Sequence, residues 1–230
     1  MKHIHLYEQF TELNEAKVRL DVLANQLISA TFKKWTTDFK SGKSESRFFE
    51  QIEMVGLEFD LDANIKFNSK GFDILDSTGA DARDYDEDED DDQTPFIIID
   101  FAVNKDWLPG YWTEVYRHLS DVMRHEIEHI TQGGQGIGNY RAGKPSDDDS
   151  DMRMLIKSGI LPQHMYLLLP KEVDANLQGL RFEAKKRKIP MIDAVNGYLD
   201  TQDYLTPETR EEVLITWRSR AAKIGGIPKF

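Results

Sequence analysis

The sequence predicts an α+β protein, with N-terminal helices, a small and mostly antiparallel sheet, and then helices to the end of the chain. Three observations predict it. Apolar residues recur at helical spacing over residues 11–40, short extended runs follow between residues 55 and 103, and from Tyr111 onward the helical period returns, punctuated by glycine and proline.

In order along the chain, Leu13, Val18, Leu20, Leu23, Leu27 and Ile28 lie near one face of the first segment, and Phe32 and Trp35 follow. One helix or two would satisfy this spacing. The polar stretch Lys40–Ser46 reads as an interhelix turn or a linker. Extended runs at Val55–Phe59, Asn64–Phe67, Phe72–Leu75 and Phe96–Val103 supply the sheet; the last follows Pro95 and is rich in β-branched and aromatic residues. Trp107-Leu108-Pro109-Gly110 ends that strand. Tyr111 to about Thr131 is helical until Gly133, Gly134, Gly136 and Gly138 stop it. A helix from about Met152 to Ser158 follows, and another opens near Pro170. Thr206-Pro207 then places an N-cap before a proline at the first position of a last helix, which stops at Gly225-Gly226.

The 230 residues carry 29 Lys plus Arg against 41 Asp plus Glu, a formal charge of −12, with 40% hydrophobic and 10% aromatic residues. That is enough apolar surface for one compact domain with a core of its own, with room for a short appendage. No apolar run approaches the ~20 residues that cross a bilayer, and Met1–Phe10 lacks the apolar stretch of a secretory signal, so neither a membrane partner nor signal-dependent secretion is expected. Cysteine is absent, which excludes disulfides, thiolate zinc, iron–sulfur clusters and a cysteine nucleophile. Any metal must be held by His, Asp or Glu. The acidic balance disfavours nucleic acid as a partner.

The acidity is concentrated. Residues 81–92 hold nine acids against Arg83 alone, a net −8 of the −12. Such a block repels itself and reads first as a solvated loop between strands; calcium binding and a DNA-mimicking decoy are the alternatives, and no calcium-loop glycine is present. The basic residues Lys185–Lys188, Arg218, Arg220, Lys223 and Lys229 read as solvated helix faces.

Chemistry enters at His125-Glu126-Ile127-Glu128-His129, an H-E-x-x-H sequence inside the helix from Tyr111. Four residues make just over one turn, so the two imidazoles share a face and can bind one metal. Glu126, about 100° round the helix, can reach a water without ligating the metal itself, and is the expected general base. A catalytic zinc takes a third protein ligand. Glu172 is the expected one, in the first turn of the helix that opens at Pro170, with Asn176 one turn on as a hydrogen-bond partner for a ligating histidine. His164, in the loop just before that helix, competes with Glu172, as does an acid elsewhere. The metzincin pattern is excluded, because Gln132 and Gln135 stand where its glycine and third histidine belong.

Over about Phe96 to Leu180 the chain resembles the gluzincins, zinc metallopeptidases with H-E-x-x-H on one helix and a glutamate ligand on the next. Glu172-Val173-Asp174-Ala175-Asn176 matches the looser second motif, without the Asn-Glu-x-x-Ser-Asp form of the thermolysin type, so the supporting role falls to Asp174 or Asn176. The resemblance implies a zincin-like fold over residues 51–230, Zn2+ as cofactor with His125, His129 and Glu172 as ligands, and Glu126 as catalytic base. It also implies a protein or peptide substrate held along Phe96–Val103 as an edge strand. Tyr140, Tyr166, His164 and Tyr198 are all candidates to stabilise the oxyanion.

The N-terminus resembles a different family. Met1-Lys2, Tyr7-Glu8-Gln9-Phe10 and Leu13-Asn14-Glu15-Ala16 are similar to the capsid-targeting leader of internal head proteins in T-even-type tailed bacteriophages, which a prohead protease removes after Glu. This implies a cleavable leader over residues 1–15, ahead of a helical segment over 16–50. It also implies partners in the phage head scaffold and prohead protease, and a location in the virion interior or the host cytoplasm. The competing reading of residues 1–15 is the start of an ordinary amphipathic helix. For the whole chain, the alternative to a peptidase is a non-catalytic virion protein that keeps the zincin fold; a third expectation is an inhibitor or decoy acting through residues 81–92.

Overall fold

The computed structural model describes residues 2–54, 57–68, 96–108, 110–132, 147–224 and 226–230. The acidic run 81–92, the extended run Phe72–Leu75, Tyr140 and the glycines from Gly133 to Gly138 lie outside the described residues. The chain divides into two compact units, Met1–Ala142 and Gly143–Phe230. The architecture is α+β, as expected.

In the first unit, helix α1 (Lys2–Lys40) is followed by β1 (Glu45–Met54), β2 (Leu57–Asn68), β3 (Phe96–Asn104), a short 3-10 helix at Lys105–Trp107 and helix α2 (Trp112–Gln132). The first helical segment is thus one helix. Its apolar stripe is buried at Leu20, Leu23, Leu27, Ile28 and Trp35, while the side chains of the expected leader lie outside the described residues. The backbone is helical through Glu15-Ala16, where the expected leader cut would fall.

The sheet has the order β1-β2-β3, and it is mixed rather than mostly antiparallel. β1 pairs antiparallel with β2, but β2 and β3 run parallel, with Leu61 opposite Ile97 and Ile65 opposite Phe101. The chain between Asn68 and Phe96 exceeds the dozen or so residues that a parallel crossover needs, so chain length permits this pairing. β1 was not among the runs that the sequence pattern singles out. Its exposed Arg47, Phe49, Gln51 and Glu53 alternate with few buried apolar residues, chiefly Ile52, which blurs the period-two signal. β2 and β3 alternate cleanly, with Leu57, Phe59, Leu61, Ala63, Ile65 and Phe67 buried on one and Ile97, Ile99, Phe101 and Val103 on the other.

That buried face is covered by α1 and α2. Trp35, wholly buried, donates its indole N–H to Ala63 O at 3.3 Å and packs on Phe101. Phe32 and Phe39 of α1 meet Trp112 of α2 edge-on, and Phe39 also meets Phe67. Edge-to-face packing of this kind adds roughly 0.5–1.5 kcal/mol per pair beyond burial. The turn from α1 into β1 is tied at Asp38, whose carboxylate accepts from Lys34, Lys43 and Ser46, while Gly42 supplies the left-handed φ of 82°.

The second unit is helical: α3 (Asp147–Lys157), a 3-10 helix at Gln163–Leu168, α4 (Pro170–Arg187), α5 (Met191–Leu199) and α6 (Pro207–Ile224). α3 opens at Asp147, earlier than the apolar pattern indicates. α5 escaped the sequence pattern too, although Pro190 and the apolar spacing of Met191, Ala194, Val195 and Leu199 mark it. Its core joins Leu167, Val173, Leu177, Leu180, Val195, Leu199, Val213 and Trp217. Trp217 is wholly buried and donates to Leu167 O at 2.8 Å. The Thr206 cap forms as expected, with Thr206 and Thr209 exchanging backbone-to-hydroxyl hydrogen bonds across the first turn of α6.

Candidate metal centre

The H-E-x-x-H motif occupies the last two turns of α2, so its residues are placed by helical geometry. His125 and His129 face one another, their Nε2 atoms 3.0 Å apart and their rings nearly perpendicular. Two nitrogens each about 2.05 Å from a tetrahedral zinc lie roughly 3.3 Å apart. The pair therefore fits one metal after opening by a few tenths of an ångström. Both rings are half-buried, which leaves them shielded but reachable.

The two glutamates of the motif go to different places, as two residues of helix separate them by about 200°. Glu126 is buried and its Oε1 lies 3.9 Å from His125 Nε2, on the side where the imidazole nitrogens converge. Glu128 turns inward. Its Oε2 accepts both terminal nitrogens of the wholly buried Arg124 at 3.1 Å, and Arg124 Nε reaches Asp21 of α1 at 3.3 Å. This buried acid–base–acid group ties the motif-bearing helix to α1 and sets which face of α2 presents the histidines.

At the end of the helix, His129 Nδ1 lies 2.9 Å from Gln132 Oε1. With the amide oxygen as acceptor, Nδ1 carries the proton and Nε2 keeps its lone pair, the tautomer that binds metal through Nε2. In the sequence pattern Gln132 only excludes the metzincin motif. Its i,i+3 spacing from His129 was the signal that could have found it.

In the second unit, α4 begins at Pro170 after Leu169 as N-cap, and Glu172 sits in its first turn, 1% exposed. The helix N-terminus favours an anion there. Arg153 of α3 donates to Glu172 Oε1 at 2.6 Å. A carboxylate offers two oxygens and about four acceptor positions, so this contact leaves capacity for a metal. Asp174 is placed elsewhere, both its oxygens taken by Arg220 of α6 at 2.6 and 2.7 Å. Asn176 is buried one turn beyond Glu172, and its Nδ2 has no hydrogen-bond partner among the described residues.

The remaining sequence candidates scatter. His164 Nε2 lies 3.5 Å from Glu212 of α6. Tyr198 packs on Trp217, and Tyr166 lies under the Arg153 guanidinium, 5.6 Å from ring centroid to carbon. Several basic residues near the end of the chain are structural: Arg220 binds Asp174, Arg187 binds Glu183, Arg218 caps Phe230 O and Lys186 lies over Phe182. No helix among the described residues is long and apolar enough to cross a membrane. The chain matches no family model, no curated protein and no solved structure.

Proposed function

We propose that the chain is a zinc-dependent metallopeptidase of zincin-like fold, with His125, His129 and Glu172 as metal ligands and Glu126 as general base. The observation that carries it is the convergence of His125 Nε2, His129 Nε2 and Glu126 Oε1 at one end of α2. The residue types proposed as ligands, two histidines of the first unit and a glutamate of the second, suit a metal ion. Two neutral imidazoles and a carboxylate are the ligand set of a hydrolytic zinc with an open position.

When bound, zinc polarises a carbonyl and lowers the pKa of water toward ~7. Glu126 takes the proton of the attacking water on Oε1 and passes it to the departing amine. Its burial, with Oε1 3.9 Å from His125 Nε2, supports this role. β3, an edge strand among the described residues, offers backbone groups to an extended peptide. The test is Glu126→Gln, assayed for peptide hydrolysis and for zinc by native mass spectrometry. The expected result is one zinc in both proteins and a loss of about 10²–10⁴-fold in hydrolysis. Absence of zinc from the wild type after zinc is supplied at neutral pH overturns the reading.

The phage-head location rests on the N-terminal resemblance alone. Peptides of this chain beginning at Ala16 in purified virions would support it, and their absence would count against it.

A further inference from the structure

The helical unit holds an open groove of about 1020 Å³. That is large enough for several residues of peptide. α3 contributes Arg153, Ile156 and Lys157 to its lining, and Leu161, Tyr166 and Tyr204 add aliphatic and aromatic surface. Among the described residues no carboxylate lines it, in a chain of net charge −12.

The two cations are placed unequally. Arg153 and Lys157 are four residues apart on α3, hence on one face and about 6 Å apart along the axis. Arg153 is committed, its Nη2 on Glu172 Oε1 and its guanidinium over the Tyr166 ring. Lys157 is exposed and makes no ion pair among the described residues. The groove is therefore bounded by Arg153, which holds the carboxylate proposed as a metal ligand, and offers the charge of Lys157 one helical turn away, above an apolar lining.

We propose that this groove is a substrate subsite that selects peptides carrying an acidic side chain next to an apolar one, with Lys157 as the specificity-determining residue. The inference rests on the peptidase reading for its role in catalysis, and it deepens that reading by naming the substrate class. Apolar neighbours of the acidic residue pack on Ile156, Leu161 and the tyrosine rings, and the carboxylate meets Lys157. Arg153 stays with Glu172 and forms the boundary between the groove and that carboxylate.

The test uses the full chain with Glu126→Gln, so that binding is read without turnover. Three fluorescein-labelled octapeptides with a central Leu-Glu-Leu, Leu-Gln-Leu or Leu-Lys-Leu in a Gly/Ser background are titrated by anisotropy at low and at physiological salt. The Glu peptide is expected to bind about threefold to tenfold more tightly than the Gln peptide, with the Lys peptide weakest and the spread narrowing as salt rises. Adding Lys157→Glu should reverse the order, and Lys157→Gln, a milder change at an exposed site, should level it. Equal binding of the three peptides, no binding of any, or an order that survives both substitutions overturns the proposal. Zinc content and hydrolysis, measured separately on the wild type, distinguish the two ideas. Zinc and hydrolysis without charge preference sink the subsite alone, whereas charge-selective binding without zinc sinks the peptidase and leaves the groove.

Discussion

His129 Nδ1 lies 2.9 Å from Gln132 Oε1, so the imidazole that faces His125 is oriented by a neutral amide from its own helix. Removing that acceptor takes away the contact that holds the proton on Nδ1. At the proposed zinc site, Gln132→Leu is expected to weaken zinc affinity about 10–100-fold, while Gln132→Glu preserves or tightens it. Competition against a chromophoric chelator measures both. Equal affinity in all three proteins would show that Gln132 does not orient the ligand.

Arg124 joins Glu128 and Asp21 in a group shielded from water. Arg124→Met takes away the cation that faces two buried carboxylates and should cost about 3–5 kcal/mol. Replacing the whole group, with Asp21→Leu and Glu128→Leu added, should recover most of that loss, because the desolvation cost of the acids disappears with them. Urea midpoints followed by circular dichroism give the comparison. A single mutant as stable as the wild type would mean the group does not hold α2.

Asp38 is held well below the usual carboxylate range by hydrogen bonds from Lys34, then Lys43 and Ser46. A folded-state pKa below the unfolded value of about 3.9 means the contribution is complete above that pH and is lost as pH falls below it. Asp38→Asn should therefore lower stability at pH 7 and flatten the fall in stability between about pH 4 and pH 2. Thermal melts across that range decide it. Parallel curves for the two proteins would contradict the linkage.

Lys188 closes α4 in the left-handed region, φ 56° and ψ 41°, while Ile189 N donates back to Ala184 O. A side chain there is strained where glycine is not. Lys188→Gly should raise stability by about 1 kcal/mol, read as a higher urea midpoint with an unchanged slope. A lower midpoint would show that the lysine side chain contributes more than the backbone strain costs.

Much of the local structure was legible because it depends on neighbours in the sequence. The α2 helix, the proline-led start of α4, the capped start of α6 and the β3 run are encoded by periodicity and terminal residues. β1 and α5 were harder to read, the first because an exposed edge strand carries little apolar alternation and the second because it is short. The parallel pairing of β2 with β3 was not readable, since register and direction depend on how distant segments meet.

The sequence by itself determined that His125 and His129 share a helical face, because four residues span one turn whatever surrounds them. Only the tertiary structure decided what each neighbouring acid does. Glu128 was claimed by Arg124, whose own position depends on Asp21 in a distant helix, and Asp174 was claimed by Arg220. Glu126 was left beside the histidines, and Glu172 was buried at the head of α4 against Arg153. Spacing along a helix is a local property, whereas the choice among carboxylates depends on which cations the fold brings within reach, and no local pattern carries that information.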